Sequence, residues 1–259
     1  MCVIIQMNIE VIKSFKQLPC DNSITVRHWK PNQTVIDKLV THCKDNNYKS
    51  IVEIGPGTVP FPLACKFVGY NENISDYISV DIDTTKLPFN DSQFEFLYCR
   101  HTLEDIQNPD FALSEFIRVS VNGYIETPSP LVEITKGVDI NFYGDTYPDS
   151  NIYSVAYSGY IHHRYIVWSD IDKNTIYFLP KYSCIIDTID IYDNETRQKI
   201  FYLLNNYPVY WNNYCLYNKD TKIVMYKNGV NMTVPVDYIR LLKSAVNTSV
   251  NSTNKFITR

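Results

Sequence analysis

Ser50-Ile51-Val52-Glu53-Ile54-Gly55-Pro56-Gly57-Thr58-Val59-Pro60-Phe61-Pro62 joins a short apolar run to a Gly-Pro-Gly turn and then meets two more prolines. Residues 50–54 suit one buried strand, with a carboxylate two residues before the turn. A glycine-rich turn after a strand lets backbone come close to a ligand and lies at the carboxyl end of a sheet. A dinucleotide site would need a third glycine where Pro60 stands, so that fingerprint fails and a nicotinamide oxidoreductase is disfavoured. Proline fits only the first turn of a helix, so Pro60 and Pro62 predict a short or irregular first crossover. The plainest alternative reading of the turn is a simple chain reversal.

Outward from this stretch, the chain alternates strands and helices. Val35, Ile36, Leu39, Val40 and Cys43 recur at helical spacing within residues 31–46 and predict an amphipathic helix. Tyr77–Asp83 and Phe94–Cys99 read as strands, and Asn108-Pro109 as a capped helix start. The helix that follows places Ala112, Leu113, Phe116 and Ile117 on one face, with Glu115 and Arg118 on the other. Val121-Asn122-Gly123 then turns into a strand, Tyr124-Ile125-Glu126, that stops at Thr127-Pro128-Ser129-Pro130. The order predicts an α/β fold: a Rossmann-like, mainly parallel sheet with flanking helices and a shortened first crossover. From about residue 131 Tyr and Trp crowd into short runs, giving an aromatic-rich C-terminal elaboration. Tyr165–Trp168 and Thr175–Leu179 form a hairpin there, with weaker helices near 194–206 and 235–246. The expected organisation is an N-terminal segment (1–30), a cofactor-binding core (31–130) and a substrate-side elaboration (131–259) packed on the same domain.

The run Lys86-Leu87-Pro88-Phe89-Asn90-Asp91-Ser92-Gln93-Phe94-Glu95-Phe96, followed by Arg100-His101-Thr102-Leu103-Glu104-Asp105 and Asn108-Pro109, resembles the class I S-adenosylmethionine-dependent methyltransferases. Glu115-Phe116-Ile117-Arg118-Val119 and Gly123 continue that family's order. The resemblance covers roughly residues 48–130. It extends to a branch in which I-G-P-G is followed by P-F-P, and the fifth strand by E-T-P-S-P and a later H-H-R-aromatic segment. It implies S-adenosyl-L-methionine as cofactor, held by Glu53, Gly55, Gly57, Asp81, Asp83, Leu87, Arg100 and His101. A sulfonium cofactor has no phosphate but has a cationic amino-acid end, for which a carboxylate at a strand end is suited. The family's ribose-binding acid ends the second strand. If that strand is Tyr77–Asp83, the acid is Asp81 or Asp83. If it is Leu63–Val68, the position falls near Gly69, Glu72 is the nearby substitute, and Asp83 takes the adenine-side place. The second register explains the spacing better.

The acceptor is expected to be a small molecule or glycan, methylated on oxygen or nitrogen; a catalytically inactive scaffold of the same fold is the alternative. Methyl transfer is mostly positioning, with a base needed only where the acceptor must lose a proton. His101, His162 and His163 are the candidate bases, and Glu126, Arg164 and Tyr165 the candidate substrate contacts. For His101 the favoured reading is a loop-shaping residue beside the methionine end, and Glu126 reads equally as a satisfied structural carboxylate. Neighbours on a strand point to opposite faces, so His162 and His163 are not expected to share a pocket, and no metal is expected.

Composition sets the remaining bounds. The 259 residues are 45% hydrophobic and 20% charged, with a net charge of −4, ordinary values for a globular chain. No block of basic residues is present, so a duplex nucleic-acid partner is not expected. No run approaches the roughly 18 apolar residues of a membrane span, and the N-terminus lacks a signal-peptide pattern. The seven cysteines lack metal-like spacing and read as buried, reduced thiols of a cytoplasmic protein.

Overall fold

A computed structural model describes residues 31–69, 77–136, 138, 157–188, 191–226 and 235–258. The segment 1–30 and Glu72 lie outside these residues. Asn32 opens α1 (Gln33–Asp45), its side chain accepting the Val35 amide at 3.3 Å. Val35, Ile36, Leu39 and Cys43 form its buried face, each burial contributing about 1.5–3 kcal/mol for a full aliphatic side chain. The chain then lays down β1 (Ile51–Ile54), β2 (Lys66–Val68), β3 (Tyr77–Ile78), β4 (Phe96–Arg100), α2 (Pro109–Val119) and β5 (Asn122–Pro128).

Strand order in the larger sheet is β3-β2-β1-β4-β5-β8, where β8 is Asn212–Asn218. The first five strands are parallel, and β8 runs antiparallel beside β5. The order reverses between β1 and β4, and the crevice at that switch is where ligands bind in such sheets. Nothing between Gly55 and Cys65 is helical, as Pro60 and Pro62 require. The second strand is Lys66–Val68, so the register that puts the ribose position near Gly69 is the observed one.

Alternation along the strands divides the core. Val52, Ile54, Leu97, Cys99 and Ile125 face α2 and the 87–94 loop, while Ile51, Phe96, Tyr98, Tyr124 and Tyr214 face α1. On the α1 side, rings stack in a row: Phe61 on Tyr98 at 4.6 Å, Tyr98 on Tyr124 at 5.4 Å, and Tyr214 on Phe256 at 5.1 Å.

After β5 come the short α3 (Pro130–Glu133), the hairpin β6 (Tyr165–Asp170) and β7 (Thr175–Pro180), α4 (Ser183–Ile186) and α5 (Asn194–Asn206). A 3-10 turn (Pro208–Trp211) leads into β8, and β9 (Lys222–Met225) and α6 (Pro235–Thr258) close the chain. β9 joins β7 in parallel to make a second, three-stranded sheet. Val167, Ile176 and Phe178 of the hairpin share a core with α2 and the larger sheet.

Several expectations are corrected. Tyr77–Asp83 is not one strand: β3 ends at Ile78, and Asp81–Asp83 form a turn in which Asp81 accepts the Asp83 amide and the Thr84 hydroxyl. Glu115 is buried, because its carboxylate accepts the Leu87 amide and pairs with Arg118. The side chain of Asn108 does not cap α2; Asp83 accepts the Gln107 and Asn108 amides instead. The helix expected over 235–246 continues to Thr258. Cys43, Cys99 and Cys215 are buried, but Cys65 and Cys184 are exposed free thiols.

Candidate active site

Glu53 is the last residue but one of β1, in an otherwise apolar strand. Its carboxylate accepts the Phe61 amide at 2.8 Å and so fixes the loop that replaces a crossover helix. Burial pushes its pKa up to about 7, although the Phe61 amide and Arg100 both pull the other way. Gly55 has φ +67°, and a Cβ there would stand 2.3 Å from Thr102 Oγ1. Among the described residues, a Cβ on Gly57 would meet no atom within 4 Å. The turn therefore packs tightly at its first glycine and is open at its second.

Across the switch, β4 ends in Arg100 and His101. Arg100 Nε donates to Glu126 at 2.7 Å, and Glu126 also accepts from Asn212 at 2.7 Å and from the Tyr124 hydroxyl at 2.5 Å. Burial alone would raise the Glu126 carboxyl; Arg100 and His101 outweigh it and hold it at about 2. His101 adopts φ +48° and stands 3.4 Å from Glu104 and 3.8 Å from Glu126. Burial opposes its charge, but the two carboxylates prevail and raise its pKa.

The C-terminal part reaches this place through backbone contacts. The amides of Arg164 and Tyr165 donate to the Glu104 carbonyl at 2.8 and 3.1 Å. The residues just before β6 are thereby docked on the β4 loop. His162 and His163 lie in that turn, not on the strand, so the alternation expected of them does not apply, and both face one cavity. His163 Nδ1 lies 2.6 Å from Glu133, which Lys181 also contacts at 2.6 Å. Burial lowers and Glu133 raises the His163 pKa, with a net rise. His162 shifts down, first through desolvation and then through the neighbouring His163. Burial, reinforced by Glu104, lifts Asp105 to about 6.

A cavity of about 500 Å³ results, lined by Glu53, Gly55, Gly57, Arg100, His101, Glu104, Asp105, His162 and His163 among others. Its size suits a drug-sized ligand. Residues Asp81, Asp83, Leu87, Glu126, Arg164 and Tyr165 do not line it. Leu87 is buried in the core with its amide and carbonyl held by Glu115 and Arg118, and Tyr165 donates its hydroxyl to the Gln107 carbonyl. A larger cavity of about 780 Å³, between α1 and β8, lacks the glycine turn and lies away from the switch; the topological argument favours the smaller one.

Glu133, Lys181 and Tyr160 escaped the sequence reading. A signal for Glu133 existed: Leu131-Val132-Glu133-Ile134 repeats the pattern of Ile51-Val52-Glu53-Ile54, a carboxylate inside an apolar run. Both glutamates are buried.

The methyltransferase domain family matches residues 53–125, from Glu53 to the middle of β5. Over that stretch the chain is similar to the methyltransferase domain family, and the match falls within the segment whose motifs resemble the class I, S-adenosylmethionine-dependent enzymes. S-adenosylmethionine is the cofactor of that class, and the open backbone at Gly57 beside the Glu53 carboxyl group fits its cationic amino-acid end. Among solved structures, an S-adenosylmethionine-dependent methyltransferase from Clostridium acetobutylicum is 13% identical, covering 42% of this chain and 55% of its own, with a TM-score of 0.34. One from Mesorhizobium loti is 15% identical, covering 33% and 50%, with a TM-score of 0.29. The chain thus spans about half the length of these structures. No curated protein matches it. Among the described residues, no helix is long and apolar enough to cross a membrane.

Proposed function

We propose that the chain transfers a methyl group from S-adenosylmethionine to oxygen or nitrogen of a small-molecule or glycan acceptor. One observation carries the reading: the Glu53–Gly57 turn, Arg100, His101 and the His162–His163 turn all line one cavity at the switch of the sheet. Glu53 and the Gly55–Gly57 backbone would hold the cofactor's amino-acid end, and His101 would shape the far wall of its site. The His162–His163 side would receive the acceptor, with the backbone of Arg164 and Tyr165 fixing that turn on the Glu104 carbonyl.

The three histidines differ as bases. His101 and His163 each sit against carboxylates that favour their protonated forms, which makes them positioning residues. His162 is more exposed, and its imidazole is held towards neutrality. It is the candidate to take a proton, where the acceptor has one to lose.

A second reading, a binding or scaffold module without turnover, is favoured by Gly69, which offers no carboxylate at the end of β2. Calorimetry with S-adenosylhomocysteine, followed by transfer of labelled methyl to a panel of sugars and small amines, separates the two. Saturable binding with labelled product supports the enzyme. Binding without any product supports the scaffold, and no binding at millimolar ligand rejects the cofactor role itself.

A further inference from the structure

Asp105, His162 and His163 bring one donor atom each to within 4.8 Å of the others. Asp105 Oδ1 stands 3.7 Å from His163 Nε2 and 3.8 Å from His162 Nε2. These separations are too long for hydrogen bonds. They lie close to the spacing of about 3.3–3.6 Å that two donors have on one tetrahedral ion with bonds near 2.0–2.2 Å.

The surroundings point the same way. Among the described residues, Asp105 Oδ1 is buried without a hydrogen-bond partner, and so are both oxygens of Glu104. Glu104 is 1% exposed and lines the same cavity. An anionic group left without hydrogen bonds costs several kcal/mol; Glu104 has only the 3.4 Å contact with His101 among the ion pairs seen, while Arg100 is engaged by Glu126 and Lys181 by Glu133. His163 also has the second contact expected of a metal-binding imidazole. Its Nδ1 meets the Glu133 carboxylate at 2.6 Å, which turns Nε2 towards Asp105. Lys181 in turn holds Glu133.

We infer that Asp105, His162 and His163 form a binding site for a divalent first-row transition-metal ion, with Glu104 beside it as a further oxygen donor. Two imidazoles and a carboxylate suit zinc, manganese or iron better than calcium or magnesium. Three protein ligands leave positions open to the cavity. On the methyl-transfer reading, an acceptor oxygen would bind there, and His162 would then be a ligand and not the base.

The test is a calorimetric titration of Zn²⁺ into the full chain after chelator treatment, with Co²⁺ absorption as a second readout. The expected result is one ion per chain, with affinity falling at least tenfold in His162→Ala and in Asp105→Asn. His162 is largely exposed, so its replacement leaves the fold intact, which circular dichroism would verify. Failure of Zn²⁺ to saturate the wild type up to millimolar concentration overturns the site. Equal binding by the wild type and both variants overturns it too. S-adenosylhomocysteine titrated into the same samples reads the Glu53–Gly57 side separately. Zinc binding without it would remove the cofactor reading and leave the metal site standing.

Discussion

Glu53 and Phe61 are joined by a single hydrogen bond across the first crossover, the Phe61 amide donating to the Glu53 carboxylate at 2.8 Å. The same carboxylate faces the cavity and is lifted to about 7, chiefly by burial. A folded pKa above the unfolded value of 4.5 means that the fold prefers the protonated acid. The stability this group contributes is therefore present at low pH and is lost as pH rises through 7. At pH 8 the ionised acid costs the unliganded protein roughly 3 kcal/mol. Glu53→Gln should accordingly be more stable than wild type at pH 8, with the difference vanishing near pH 5 in urea denaturation.

Ligand binding should show the opposite dependence on Glu53. A cationic ligand end needs the ionised carboxylate, so wild-type affinity for S-adenosylhomocysteine should rise about tenfold between pH 6 and 8. Glu53→Gln should bind weakly and without that slope. A flat wild-type profile would place the ligand's charged end elsewhere.

The two turn glycines should separate folding from binding. A side chain at Gly55 faces a positive φ and the Thr102 hydroxyl at 2.3 Å, so Gly55→Ala should cost about 1–3 kcal/mol of stability. Gly55→Val is for this reason a poor probe of the ligand. Gly57→Val adds its side chain to open space. It should keep wild-type stability within about 1 kcal/mol and lose S-adenosylhomocysteine binding. Unchanged binding would show that the ligand does not approach Gly57.

Asp83 and Asp81 should differ for a structural reason. Asp83 accepts the Gln107 and Asn108 amides, both at 2.8 Å, and so ties the β3–β4 loop to the start of α2. Asp81 bonds only within its own turn among the hydrogen bonds seen. Asp83→Ala should lose about 1–2 kcal/mol, as a lost helix cap does, and Asp81→Ala less. The reverse order in thermal melts would mean that the loop is held by something else.

How far the sequence could reach depended on whether a signal was local. The Ile51–Ile54 strand, the helix-free first crossover and α2 were readable because apolar period and proline act within a few residues. The split at Ile78 was not, since the polar Asp81–Asp83 turn is set by distant amides at Gln107 and Asn108. The antiparallel β8 beside β5 depends on pairing across some ninety residues, which no local pattern encodes. At the site, the glycine turn and His101 were legible, whereas the meeting of His162 with His163 was not. It follows from the docking of Arg164 and Tyr165 on the Glu104 carbonyl, a tertiary contact that keeps both histidines in a turn.

Glu126 provides the sharpest test of structural against substrate roles. Its oxygens are taken by Arg100, Asn212 and the Tyr124 hydroxyl, it is 1% exposed, and it does not line the cavity. Its pKa is held near 2, far below the usual 4.5, so its contribution is complete above pH 4.5 and is lost as pH falls towards 2. Glu126→Gln removes the carboxylate that the Arg100 guanidinium contacts at 2.7 Å and should cost about 3–5 kcal/mol at pH 7. Replacing both partners, Arg100→Met with Glu126→Leu, removes the buried charge as well as the pair and should cost distinctly less than the single change. Urea denaturation of the two single variants, the double variant and the wild type measures the coupling directly. Additive costs would show that the pair does not act as a unit and would return Glu126 to the list of groups free to serve an acceptor.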